Sequence, residues 1–146
     1  MQLEIHAMPG HLLRRMQQIA VAVFSGRVGA AGHDITPIQF AAMSALASRP
    51  DIDQATLAAM IACDRATIGG VVERMEAKGY LRRSINRLDR RARRLELTPS
   101  GRAIYDRLLP AVRELQGEIL AGLTAKERRT LCRLLAKASA AADSTP

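Results

Sequence analysis

Seven arginines and one acid occupy the 13 positions from Arg82 to Arg94, in a chain of 146 residues that holds 22 Lys and Arg in all. That cluster constrains the chain more than any other feature. It lies within the run Asp64 to Gly101, which has a plain local grammar. A short helix is followed by a glycine stop, two strand-like runs joined by an arginine-rich tip, and a new helix start. Positive charge concentrated on a hairpin beside a small-residue helix fits a polyanion such as nucleic acid. The plainer alternative is an edge hairpin whose basic side chains are solvated and discourage sheet-to-sheet association.

The whole chain is basic, with net charge +8 and no Trp. Charge of that size admits nucleic acid, anionic membranes or acidic ligands without choosing among them. The length fits one domain, or one domain with an appended oligomerisation element. Two Tyr, two Phe and abundant Ala and Leu suit closely packed helices better than a β-sandwich. No apolar run approaches the roughly 20 residues of a membrane span, and the first residues lack signal-peptide character. A cytoplasmic protein without a membrane partner is expected. Two cysteines, Cys63 and Cys132, make no disulfide framework.

Periodicity gives the elements in order. Leu12, Met16, Ile19 and Val23 predict a helix from about Pro9 to Gly26. Thr36-Pro37-Ile38-Gln39 starts a second helix with a capping box, and Arg49-Pro50-Asp51 ends it. Helices over Gln54 to about Ala62 and Arg65 to Lys78, joined by a short turn, form a helix-turn-helix candidate capped by Asp64. Gly79 stops the second, and short strands follow at Tyr80 to Ile85 and Arg94 to Leu97, with Leu81, Ile85, Leu95 and Leu97 available to face inward. Thr98-Pro99 launches a long helix whose apolar stripe runs from Ile104 to Leu123, with a kink expected near Asp106 because of Pro110. Thr124 to Glu127 is a capping box for a last helix carrying Leu131, Leu134, Leu135 and Ala138 on one face. The fold class is therefore mainly α with a small two-stranded β wing.

The run Asp89-Arg90-Arg91-Ala92-Arg93-Arg94-Leu95-Glu96-Leu97-Thr98-Pro99-Ser100-Gly101 resembles the D-x-R-x-x-x-L-x-L-T-x-x-G signature of the MarR family of bacterial transcriptional regulators. The resemblance covers about residues 10–142. It implies a winged helix-turn-helix at residues 36–98, flanked by dimerisation helices at 1–35 and 99–146. It also implies a homodimer on a pseudo-palindromic double-stranded DNA operator, with repression as the default.

Within that frame Arg65, Ala66, Thr67, Gly69 and Gly70 open the recognition helix and are placed to enter the major groove. Arg65 suits guanine O6 and N7, while Thr67 suits a phosphate or a thymine methyl. Close approach of the backbone to a groove wall is a reason to keep the glycine pair, each about 1 kcal/mol worse than Ala in a helix. Arg74 and Lys78 lie further along and hold the DNA backbone or nothing. Arg90 is the first choice for minor-groove insertion, with Arg87, Arg91 and Arg93 beside it. By the family pattern Asp89 and Arg91 brace the wing through an ion pair.

The family also takes small anionic aromatics between the dimerisation helices and the winged domain. His11, Arg14, Arg15 and Gln18 are the candidate ligand residues, Arg14 or Arg15 for a carboxylate and His11 or Gln18 for a ring hydroxyl or nitrogen. The run Met8-Pro9-Gly10-His11-Leu12-Leu13-Arg14-Arg15 resembles members that sense hydroxybenzoates or hydroxynicotinate. A thiol-based redox repressor and a non-sequence-specific architectural DNA binder are the alternatives. Cys63, next to Asp64, suits a small buried filler, and Cys132 lies among arginines. His6, His11 and His33 form no metal-type spacing, and no nucleophile motif or phosphate loop is present, so no enzyme, metal or cofactor is expected.

Overall fold

The computed structural model describes residues 1–85 and 93–144. After a 3-10 turn at Glu4–Ala7 the order is α1 (Pro9–Ala30), α2 (Pro37–Ser48), β1 (Ile52–Asp53), α3 (Gln54–Met60), α4 (Arg65–Ala77), β2 (Leu81–Ile85), β3 (Arg93–Leu97), α5 (Pro99–Ile119) and α6 (Ala125–Asp143). The sheet is antiparallel in the order β1-β3-β2, with Leu81 opposite Leu97 and Ile52 opposite Leu95. Among the described residues no single helix is long and apolar enough to cross a membrane.

The capping signals form as the chemistry requires. Thr36, Asp53, Asp64, Thr98 and Thr124 each accept a hydrogen bond from the backbone N–H three residues on. Met43, Leu46, Leu57, Ile68, Val71, Val72, Met75, Leu81 and Leu95 bury the winged half around one core. Phe24, Val28, Leu108, Val112 and Leu115 extend that core between α1 and α5.

Several expectations are corrected. Helix α1 runs past Gly26 and Gly29 to Ala30. Burial of Phe24 and Val28, and ion pairs from Arg27 to Glu114 and Glu118, outweigh the glycine penalty. Helix α3 stops at Met60, and Ala62 in the turn takes a left-handed φ of 53°. Helix α5 carries Pro110 inside one element with Leu108, Val112 and Leu115 buried, which does not bear on the expected kink. Ile85 is exposed at the far end of β2, opposite Arg93. Strand β1 makes the sheet three-stranded; a two-residue strand carries no periodicity to read.

One glycine is dictated by geometry. A Cβ on Gly101 would fall on the carbonyl oxygen of Tyr80 and 2.8 Å from its carbonyl carbon. The start of α5 packs backbone to backbone against the exit of α4. Thr98 N–H donates to Tyr80 O at 3.1 Å, and the Thr98 hydroxyl donates to Gly79 O at 2.6 Å while accepting from Gly101 N–H at 3.0 Å. The Thr-Pro-Ser-Gly run is therefore a joint between α4 and α5.

Candidate nucleic-acid interface and effector site

The chain bends by 107° between α3 and α4, within the range of a DNA-binding helix-turn-helix. Ile68, Val71, Val72 and Met75 turn one face of α4 into the core, which leaves Arg65, Ala66 and Thr67 exposed at its N-terminal end. Asp64 fixes that end: its Oδ1 accepts from Thr67 N–H at 2.7 Å and its Oδ2 from the Thr67 hydroxyl at 2.9 Å. Those bonds, the side-chain one foremost, hold the Asp64 carboxyl below its ordinary pKa. The Thr67 hydroxyl proton is thus committed to Asp64.

The glycine pair is half-buried within the protein. A Cβ on Gly69 would meet Gln54 of α3 at 3.7 Å, and one on Gly70 would crowd the Arg74 guanidinium at 3.2 Å. The space they leave is shared with α3 and Arg74. Arg74 itself is exposed. Lys78 donates to Asp34 O and to Gln39 Oε1 at 3.2 Å.

The arginine cluster divides. Arg82 pairs with Glu96, its cross-strand partner, at 2.7 Å. Arg83 lies 3.6 Å from Glu76 of α4. Arg94 donates to Asp51 O at 2.7 Å, tying β3 to the loop before β1. Arg93 is exposed. Part of the charge that pointed to a polyanion therefore holds the hairpin to the domain. Arg87, Asp89, Arg90 and Arg91 lie outside the described residues, as does the expected Asp89–Arg91 brace.

At the other end of the molecule, α1 brings His11 and Arg14 together. Arg14 Nη2 stands 3.4 Å from His11 Nδ1, and the His6 ring lies 5.4 Å from the His11 ring. Arginine only donates, so His11 Nδ1 accepts and Nε2 carries the hydrogen. Desolvation first, then Arg14, His6 and Arg15, lower the His11 pKa. Arg15 and Gln18 are exposed.

Two concavities lie nearby, and none of those four residues lines either. The larger, about 410 Å³, is an apolar groove between α1, the end of α5 and α6, walled by Leu12, Leu13, Met16, Ile119, Leu131 and Leu135. The smaller, about 180 Å³, lies between α1, the start of α2 and α5, and is walled by Gln17, Val21, Phe24, Pro37, Leu115 and Gln116. Gln17 and Gln116 were not singled out from sequence. The available signal was a glutamine beside an apolar stripe on each helix.

Residues 33–92 match the model of the MarR family. The HTH-type transcriptional repressor NicR of Pseudomonas putida is 38% identical over 128 residues, spanning 88% of this chain and 80% of that protein. The chain belongs to the MarR family. Two solved members of similar shape were found with it. BpsR of Bordetella bronchiseptica, whose DNA binding is regulated by 6-hydroxynicotinic acid, is 32% identical with a TM-score of 0.86, covering 95% of this chain and 98% of that one. PcaV of Streptomyces coelicolor, in complex with its natural ligand, is 30% identical with a TM-score of 0.87, covering 97% of this chain and 99% of that one. The protein is thus a transcriptional regulator with the winged architecture of this family.

The thiols give little to a redox reading of this family member. Cys63 is half-buried, somewhat more open than a core filler, and its Sγ lies 3.5 Å from Asp64 O. Desolvation, and then Asp64, push its thiol pKa up, which disfavours the reactive thiolate. Cys132 is exposed on α6 at the rim of the apolar groove. Among the described residues no group of three or more His, Cys, Asp or Glu is arranged to hold a metal ion.

Proposed function

We propose that this protein represses transcription by binding a pseudo-palindromic operator as a homodimer, and that a small aromatic carboxylate releases it. The observation that carries the DNA half is the N-terminal end of α4. Its inner face is buried, its cap is locked by Asp64, and Arg65, Ala66 and Thr67 stand free beside the basic hairpin. Arg65 then reads guanine, and Thr67 presents its methyl to thymine. Arg74 and Arg93 hold phosphates, and Arg90 with its neighbours Arg87 and Arg91 occupies the minor groove.

Two features support the dimer. Helix α6 has no buried residue, and the apolar groove beside it is walled by leucines from both ends of the chain. A second copy would cover that surface.

For the effector, the aromatic ring suits the smaller cleft. Positions 14, 17, 21 and 24 follow helical spacing along one face of α1, and Gln17, Val21 and Phe24 wall that cleft. Arg14 lies one turn from Gln17 on that face, so it is preferred to Arg15 for the carboxylate. His11 Nε2–H is beside it for a ring hydroxyl or nitrogen, and Gln18 is the outlying member. The ligands of BpsR and NicR's likeness to this chain favour a hydroxylated pyridine or benzene carboxylate.

The test is a screen of aromatic acids against operator-bound protein. At a concentration 100-fold above Kd, an effector should stabilise the fold by about 2.7 kcal/mol and release DNA. Arg14→Ala should abolish the response while operator binding persists. If no acid both stabilises the protein and releases DNA, the effector assignment fails.

A further inference from the structure

We infer that Lys78 is a positioning residue for operator recognition: it sets the tilt of α4 by fastening the helix exit to the loop that leads into α2, and it does so without touching DNA. The inference rests on the DNA-binding reading above. A lysine near the end of a recognition helix is ordinarily assigned to a phosphate. Here its ammonium is occupied by groups of the chain itself. Lys78 Nζ donates to Asp34 O and to Gln39 Oε1 at 3.2 Å, and lies 3.6 Å from Asp34 Oδ2. Two of the ammonium's three donors are taken by Asp34 O and Gln39 Oε1, and the Asp34 carboxylate is an ion-pair neighbour only.

The receiving side is built. Gln39 is the one buried polar side chain among the described residues, at 3% exposure. Its Oε1 also accepts from Thr36 N–H at 3.2 Å, in the capping box that starts α2. Asp34 stands just before Ile35, which is buried. The ammonium is therefore held by a backbone carbonyl and an anchored amide. The Asp34 carboxylate is 98% exposed and contributes little by comparison.

Leverage makes this matter. Helix α4 has 13 residues, about 20 Å at the α-helical rise, with Lys78 at one end and Arg65 at the other. A tilt of about 10° around the Lys78 end moves Arg65 by about 3 Å, enough to lose a hydrogen bond that tolerates only tenths of an ångström. Joined with the Thr98–Gly101 contact on Gly79 and Tyr80, the exit of α4 is clamped on two sides. One clamp leads to α5 and the other to the end of α1.

The experiment compares wild type, Lys78→Met, Lys78→Arg and Gln39→Leu on operator and on random DNA across a salt series. Wild type is measured first: failure to prefer an operator sinks the DNA-binding reading, not this one. With wild-type preference established, Lys78→Met should lose about tenfold in operator affinity, keep its random-DNA affinity, and keep the wild-type slope of log K against log salt. Gln39→Leu should lose operator preference in the same way, although Gln39 is too buried to reach DNA. The double variant should be no worse than the more affected single one, since both remove the same link. Lys78→Arg, which retains donors, should recover most of the preference. A slope reduced by about one unit, with equal losses on both DNAs, would make Lys78 a phosphate contact and overturn the inference. Unchanged operator affinity in folded Lys78→Met, or fully additive losses in the double variant, would overturn it as well.

Discussion

The two ends of this molecule are finished to different degrees. Around the exit of α4 the polar groups of two clamps are paired. Thr98, Gly79, Tyr80, Gly101, Lys78 and Gln39 close on one another through short hydrogen bonds and direct backbone contact. Helix α6 is the reverse. It is 19 residues long, it is amphipathic, and none of its residues is buried. Leu134 and Leu135 lie open, as do Leu12 and Leu13 of α1 across the groove. A winged half that buries its own core needs nothing further to hold its shape. A terminal half that exposes its stripe is completed by another surface. A closed core and an open apolar face thus lie in different parts of one chain.

The difference can be broken from either side. The largest effect is expected from charge placed in the groove. Leu131→Asp with Leu135→Asp should dissociate the dimer and cost about 10²-fold or more in operator affinity, because the second half-site no longer adds its avidity. The winged half should still unfold cooperatively. Sedimentation velocity and operator titration check both parts; a dimer that survives the pair of charges would remove α6 from the interface.

Next is Gly101→Ala. Its Cβ would meet backbone, which cannot swing aside, so a loss of about 3 kcal/mol or more is expected in denaturant unfolding. A variant of wild-type stability would mean that the α4–α5 joint is looser than its geometry. Arg65→Ala should leave stability unchanged and cost about 1–3 kcal/mol on the operator, with relaxed choice at one base position. Uniform weakening on all sequences would demote Arg65 to a phosphate contact.

The smallest effect comes from acid. The Asp64 carboxyl is held below its ordinary pKa when folded, so its contribution is present above the unfolded carboxylate value of about 3.9. It is lost as pH falls through the lower, folded value. Asp64→Asn should therefore differ from wild type at neutral pH and converge with it in strong acid. A difference that persists unchanged in acid would show that the hydrogen-bond pattern, not the charge, is what Asp64 supplies.

Much of this was legible in the chain, for identifiable reasons. Thr36, Asp64, Thr98 and Thr124 mark helix starts because capping is local chemistry, settled within four residues. The helix-turn-helix and hairpin followed from periodicity. What escaped was decided at a distance. Lys78 was read as holding the DNA backbone or nothing because nothing near it in sequence shows that Asp34 and Gln39 face it. Arg82, Arg83 and Arg94 looked like free charge because their partners, Glu96, Glu76 and Asp51, come from other segments. The end of α1 was misplaced because burial of Val28 overrode two glycines.

The most direct test of the whole arrangement is sedimentation of a labelled operator with the protein, with and without a hydroxylated aromatic acid. Two protomers per operator, with half-site centres about one DNA turn apart, are expected without the acid, and free DNA with an intact dimer is expected once it is added. Binding by a single protomer, or an operator complex indifferent to every such acid, would contradict a dimeric reader controlled from its first helix.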